Sequence, residues 1–197
     1  MLGRCIGVGL FALLLISMLP TVDADDNQQS SNLLTDGVSS NGYVCDPDGC
    51  SSNDGTDWWR IYAYQGDIVS IAFSGSMNNA AWWCPGDGWE ADYSMHDETG
   101  SQVASMAKDD NNPSGTLSKT MPQAGNVFVK IKAKDSWCND GLDYTLLASI
   151  DKTARDTDED GFVDAEDDCD LIVGSSTNDR KGCIDSDSDG WSDTDSG

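Results

Sequence analysis

The residues with the clearest chemical purpose are aspartates near the C-terminus, set at fixed spacing around a glycine. Asp156, Asp158, Asp160 and Asp164 frame Gly161 as D-x-D-x-D-G-x-x-D. Asp185, Asp187, Asp189 and Asp193 frame Gly190 in the same phase, offset by 29 residues. Carboxylates two residues apart in a turning loop can converge on one hard cation. Calcium takes about six to eight oxygen ligands at roughly 2.3–2.6 Å, from loop positions 1, 3, 5, 7, 9 and 12. A glycine at position 6 permits the sharp turn, because it reaches positive φ without steric cost. Position 7 supplies a backbone carbonyl, so Phe162 and Trp191 qualify as ligands without a polar side chain. Asp167 falls at position 12 of the first loop, whereas Ser196 holds that place in the second. Calcium is therefore the expected cofactor, held more tightly by the first loop. A merely solvated acidic segment has no reason to repeat four aspartates and a glycine in one phase.

An EF-hand would need amphipathic helices on both sides of each loop. Residues 149–155 are too short for one, and residues 167–176 carry no helical stripe. The wider pattern resembles thrombospondin type 3 repeats instead. It runs from Asp156 through Asp167 to Cys169, Gly174, Asp179, Gly182-Cys183 and the next loop at Asp185, covering residues 156–195. Asp170 stands where a proline is common in that family. The resemblance implies irregular loops wrapped around calcium, disulfide staples, and Asp179 as an added ligand.

Something other than burial must order these loops, since residues 151–197 hold 16 acidic and four basic residues and too few apolar ones to build a core. The preceding stretch, residues 42–150, alternates. Trp59, Ile61 and Ala63 share one face and Arg60 and Tyr62 the other. Val69, Ile71 and Phe73 repeat the pattern after the turn at Gly66-Asp67, as do Val127, Val129 and Ile131, then Tyr144, Leu146 and Ala148. A period of two over short runs, punctuated by Gly, Asn, Asp and Pro, signals strands. The expected fold is all-β: an antiparallel, jelly-roll-like β-sandwich followed by an irregular calcium-loop tail.

The order of short segments also resembles the bacterial pre-peptidase C-terminal domain. The matching pieces are Asp57-Trp58-Trp59-Arg60-Ile61 with Gln65-Gly66-Asp67-Ile68-Val69, then Tyr93 to Asp97 with Thr99 to Ala104. Ala124 to Ile131 and Asp143-Tyr144-Thr145-Leu146 follow, with Asn126 in place of the usual Thr. Trp82 to Trp89 reads as an insertion. The resemblance implies a non-catalytic sandwich accessory to exported proteins.

The N-terminus sets the compartment. Arg4, the apolar run Ile6–Leu19 and Val22-Asp23-Ala24 form the layout of a cleaved signal peptide. The run is shorter than the roughly 20 residues of a spanning helix. The expected division is a signal peptide over 1–24, a flexible lead-in over 25–41, the sandwich over 42–150 and the repeats over 151–197. Past the signal, Cys45, Cys50, Cys84, Cys138, Cys169 and Cys183 remain, an even number that suits disulfides in an exported chain. Cys169 and Cys183 flank the spacer between the loops and are expected to pair; Cys45–Cys50 and Cys84–Cys138 are the remaining pairings.

A net charge of −24 repels phosphate backbones, which excludes nucleic acid as an expected partner, and it attracts cations. No later segment is apolar enough to span a membrane. His96, the only histidine, lies on an expected strand without a nucleophile elbow, a zinc-protease motif or a phosphate loop around it. No enzyme is expected. The chain reads as a secreted or cell-surface calcium-binding adhesion and spacer module, its sandwich meeting a cell-surface protein or polysaccharide. The alternatives are the front portion of an exported hydrolase, or a carbohydrate-binding module using Trp82, Trp83, Trp89 and Trp137 as a stacking platform. The plainer role for those tryptophans is to cover the sandwich.

Overall fold

The computed structural model describes residues 28–45, 55–78, 88–134 and 141–193. These form two packed sheets, as the alternation predicts. The strands are β1 (Asn32–Leu33), β2 (Ser39–Val44), β3 (Thr56–Ala63), β4 (Ile68–Asn78), β5 (Glu90–His96), β6 (Gln102–Asp109), β7 (Ser114–Thr120), β8 (Gly125–Ala133) and β9 (Gly141–Asp151). Sheet A runs β1-β3-β8-β5-β6, and sheet B runs β2-β9-β4-β7. Every pairing is antiparallel except β1 with β3.

The core lies between the sheets, built from the residues whose phase the sequence predicts. Val69, Ile71, Val127, Val129, Ile131, Leu146 and Ala148 are fully buried, and Trp59, Ile61, Phe73 and Tyr144 nearly so. Phe73 stacks on Tyr93 (ring centroids 5.4 Å) and Tyr144 (6.1 Å) and meets Trp89 edge-on (6.1 Å). Offset and edge-on pairs of this kind add about 0.5–1.5 kcal/mol beyond their buried area. Trp89 is buried in the core and belongs to no surface platform; Trp82, Trp83 and Trp137 lie outside the described residues.

Polar groups that enter the core are joined across it. The Trp59 indole N–H donates to the Tyr144 hydroxyl (2.8 Å), and that hydroxyl donates to the buried Asp57 carboxylate. The Tyr93 hydroxyl donates to the Ile71 carbonyl (2.6 Å), linking sheet A to sheet B. Burial also pushes the Tyr93 phenol far above its ordinary range.

The structure corrects the lead-in. Residues 28–41 are part of the fold: a short 3-10 turn (Gln28–Ser30), β1, and the first half of β2. Leu34 is buried, its N–H bonded to the Arg60 carbonyl (2.7 Å). One apolar anchor among polar neighbours is enough, because the backbone of β1 and β2 pairs with β3 and β9. The predicted pair Cys169–Cys183 is a disulfide, and Cys45 is buried and disulfide-bonded; Cys50, Cys84 and Cys138 lie outside the described residues. No helix among the described residues is long and apolar enough to cross a membrane.

Candidate metal centre

The two aspartate loops adopt one backbone trace, residue for residue. Gly161 N–H donates to Asp156 Oδ2 (3.0 Å), as Gly190 N–H does to Asp185 Oδ2 (2.9 Å). Phe162 N–H donates to Asp160 Oδ1 (2.9 Å), as Trp191 N–H does to Asp189 Oδ1 (2.9 Å). The position-6 glycines are left-handed, Gly161 at φ 100° and Gly190 at φ 89°. So are the residues at position 4, Glu159 at φ 63° and Ser188 at φ 61°. A non-glycine residue there is strained, and such strain concentrates at ligand-binding loops.

This trace gathers carboxylates. One oxygen from each of Asp156, Asp158 and Asp160 lies within 4.8 Å of the others, and Asp185, Asp187 and Asp189 form a matching group. In the first loop Asp156 is only 4% exposed. Its Oδ1 and the Oδ2 of Asp158 are buried and accept no hydrogen bond. A desolvated anionic oxygen without a donor is costly unless a cation meets it. Loss of solvent, then repulsion from Asp160, Asp167 and Asp156, pushes the Asp158 carboxyl above its ordinary range. Asp167 is raised likewise, by desolvation first and then by Asp160, Asp170 and Asp164. An all-oxygen, multiply anionic donor set fits calcium chemistry and no soft metal.

The remaining expected ligands are tied into the loops by hydrogen bonds of their own. Asp164 accepts from the Thr157 N–H (2.7 Å) and hydroxyl (2.8 Å), and Asp193 accepts from Ser186 N–H (3.1 Å) and its hydroxyl. Position 9 thus ties position 2 in both loops. Thr157 and Ser186 are the residues the sequence reading missed, although a hydroxyl at position 2 of both copies was visible. Asp179 reaches across the spacer to the second loop, accepting from Ser192 N–H (2.7 Å) and Ser192 Oγ (2.9 Å). Asp167 Oδ1 accepts from Cys169 N–H (2.7 Å), beside the disulfide. Phe162 and Trp191 follow the left-handed glycines at position 7, and Trp191 is 56% exposed.

The sandwich grips the first loop. Arg155 makes a two-pronged ion pair with Asp67, Nε to Oδ1 (3.0 Å) and Nη2 to Oδ2 (2.9 Å), and Asp67 is fully buried. The guanidinium also stacks over Tyr64, 4.5 Å from the ring centre. Asp156 N–H donates to the Gln65 carbonyl (3.0 Å), and Gln65 Nε2 to Asp156 Oδ2 (3.4 Å). Gly66 is obligatory here, since any Cβ would sit 1.6 Å from the Ala154 carbonyl oxygen. The second loop has no such wall among the described residues, and Asp187 and Asp189 are exposed.

His96 is embedded in sheet A. Its Nδ1 lies 3.1 Å from the Gly100 carbonyl, so Nδ1 carries the proton and Nε2 accepts from the Ser94 hydroxyl (2.9 Å). No carboxylate orients the ring among the described residues: Asp97 is occupied by Thr99 and Ser101, which also hold its carboxyl below the ordinary range, the Thr99 hydroxyl foremost. Ser94 is buried as well.

No family model matches the chain, and no curated protein matches it. Among solved structures, it is similar to the pre-peptidase C-terminal domain of a collagenase from Bacillus anthracis: 14% identity, 60% of this chain and 93% of that one, TM-score 0.41. It is also similar to a periplasmic inhibitor of g-type lysozyme from Aeromonas hydrophila, at 10% identity, 61% and 95% coverage and TM-score 0.40. A carbohydrate-binding module, CBM4, gives 13% identity, 56% and 71% coverage and TM-score 0.37. These similarities concern the β-sandwich; the aspartate loops rest on their own geometry.

Proposed function

We propose that this protein is an exported, non-catalytic module whose tail is ordered by calcium. Its sandwich is of the pre-peptidase C-terminal kind and serves in binding or adhesion. Its tail is a pair of thrombospondin type 3-like loops that space and stiffen the chain. The observation that carries the reading is the pair of buried, donorless oxygens, Asp156 Oδ1 and Asp158 Oδ2, in a loop whose Asp156, Asp158 and Asp160 carboxylates converge and whose pattern recurs at Asp185, Asp187 and Asp189. Asp156, Asp158, Asp160 and Asp167 are the side chains that would hold the first ion, with the Phe162 carbonyl. Asp185, Asp187 and Asp189, with the Trp191 carbonyl, would hold the second. Bound calcium supplies charge neutralisation and an oxygen-linked centre in place of an apolar core. Export suits such loops, because extracellular modules commonly bind calcium near about 10⁻⁴–10⁻³ M. The test is calorimetric titration of the chelator-treated protein with calcium. Two classes of site are expected, the tighter one weakened about tenfold or more in Asp158→Asn. No heat at millimolar calcium would contradict the reading.

A further inference from the structure

The outer face of sheet A carries a pattern that neither the core nor the tail requires. Where β3 pairs with β8, Trp58 stands opposite Lys130 and Arg60 opposite Phe128. Each rung therefore sets one aromatic ring beside one cation, and the sides alternate. Successive rungs on this face are two residues apart, about 6.6–6.8 Å. Lys130 Nζ lies 5.2 Å from the centre of the Trp58 ring, and His96 from β5 packs on the same ring at 5.0 Å. Lys132 extends the strip opposite Thr56.

None of Arg60, Lys130 and Lys132 makes an ion pair among the described residues; Arg60 Nη1 donates to the neutral Ser31 carbonyl (2.9 Å). Asp92, across from Lys132, is paired with Lys134 (3.7 Å). Three unpaired cations on one face stand out in a chain of net charge −24. Partly exposed rings between them add flat apolar area on a rigid sheet.

We propose that this face binds a carboxylated polysaccharide, a polymer with one uronate per sugar ring. The Phe128 face would stack on the apolar face of a sugar, Trp58 would hold Lys130 in place over its ring, and Lys130, Arg60 and Lys132 would meet the carboxylates through charge-assisted hydrogen bonds. One cation per aromatic rung matches one charge per sugar. Acid groups elsewhere on the molecule are screened beyond roughly 8 Å at physiological salt, so the local field decides. A nucleic acid, with about one charge per 1.7 Å of duplex, carries far more charge along the strip than its three cations can meet. The proposal rests on the binding-module reading of the sandwich and stands apart from calcium in the tail.

The test is affinity electrophoresis of the full chain through gels containing polygalacturonate, dextran, heparin or single-stranded DNA, in calcium and in chelator. Retardation by polygalacturonate in both buffers, with little by dextran, is expected. Lys130→Gln/Lys132→Gln should weaken it about tenfold, with unchanged thermal unfolding, while Ser70→Ala on sheet B should leave it intact. Should the double variant fold poorly, the exposed Lys132→Gln alone should still weaken binding severalfold. Absence of retardation, insensitivity to the lysine changes, or preference for heparin or DNA would overturn the proposal. Binding that needs calcium yet ignores the lysines would assign the polymer to ion bridging at the tail and overturn it too. Calorimetry with calcium reads the tail separately, so the two readings fail independently.

Discussion

At the scale of single residues, the loops separate glycines by what a side chain would meet. A Cβ on Gly161 has nothing within 4 Å, so Gly161→Val acts through backbone strain alone, of order 1–3 kcal/mol at a φ of 100°. Gly190→Val adds a clash, its Cβ 2.5 Å from Asn178 Nδ2. Each variant should weaken the calcium site of its own loop about tenfold or more and leave the other unchanged, as read by titration calorimetry. Asp36 gives a pH dependence at the same scale. Lys152 Nζ lies 2.9 Å from its Oδ2, and Ile150 N–H donates to its Oδ1 (2.9 Å). These partners, the lysine foremost, hold its carboxyl below the ordinary range. A lowered folded pKa means stability present above the ordinary carboxylate range and lost as pH falls through the folded value. The pair is well exposed, so Asp36→Asn should cost under about 1 kcal/mol at pH 7. The cost should fall away in denaturant melts as pH drops below the ordinary carboxylate range and through the lowered folded value, where the wild-type carboxyl takes up its proton as well.

At the scale of elements, the sandwich stands or falls with strand phase. Val129 is fully buried, and an unpaired charge there costs several kcal/mol, so Val129→Asp should abolish the cooperative thermal transition. An unchanged melting temperature would place Val129 on the wrong face. Arg155→Gln leaves the fully buried Asp67 without its cation, which costs about 3–5 kcal/mol. Because Asp156 is the next residue and bonds to Gln65, the same change should lower calcium affinity at the first loop and not at the second. The strands that the sequence announced are those with apolar residues two apart, β3, β4, β8 and β9. β7 was hidden because only Leu117 points inward among serines and threonines. β1 was hidden because it is two residues long and held by backbone pairing. The aspartate loops were legible from spacing alone. Their wall was not, because Asp67, Gln65 and Arg155 meet only when the β3–β4 turn folds back on the tail.

At the scale of the molecule, two modules are held together by different forces. The sandwich buries aromatic and branched side chains between its two sheets. The tail leaves Leu171, Ile172, Val173 and Ile184 exposed and has the Cys169–Cys183 bridge, which contributes around 3 kcal/mol in the chain-entropy model for so short a loop. The 16 acidic residues within residues 151–197 repel one another against that staple and the loop hydrogen bonds. Calcium bound only to the folded tail adds RT ln(1 + [L]/Kd), about 2.7 kcal/mol at a hundredfold excess over Kd. The most direct measurement of the central claim is amide hydrogen exchange over residues 156–193, with calcium and after chelation. Calcium should slow exchange at Gly161, Phe162, Gly190 and Trp191, whose N–H groups are held by loop carboxylates, and leave β3, β4, β8 and β9 unchanged. Identical exchange in the tail with and without millimolar calcium would contradict the account.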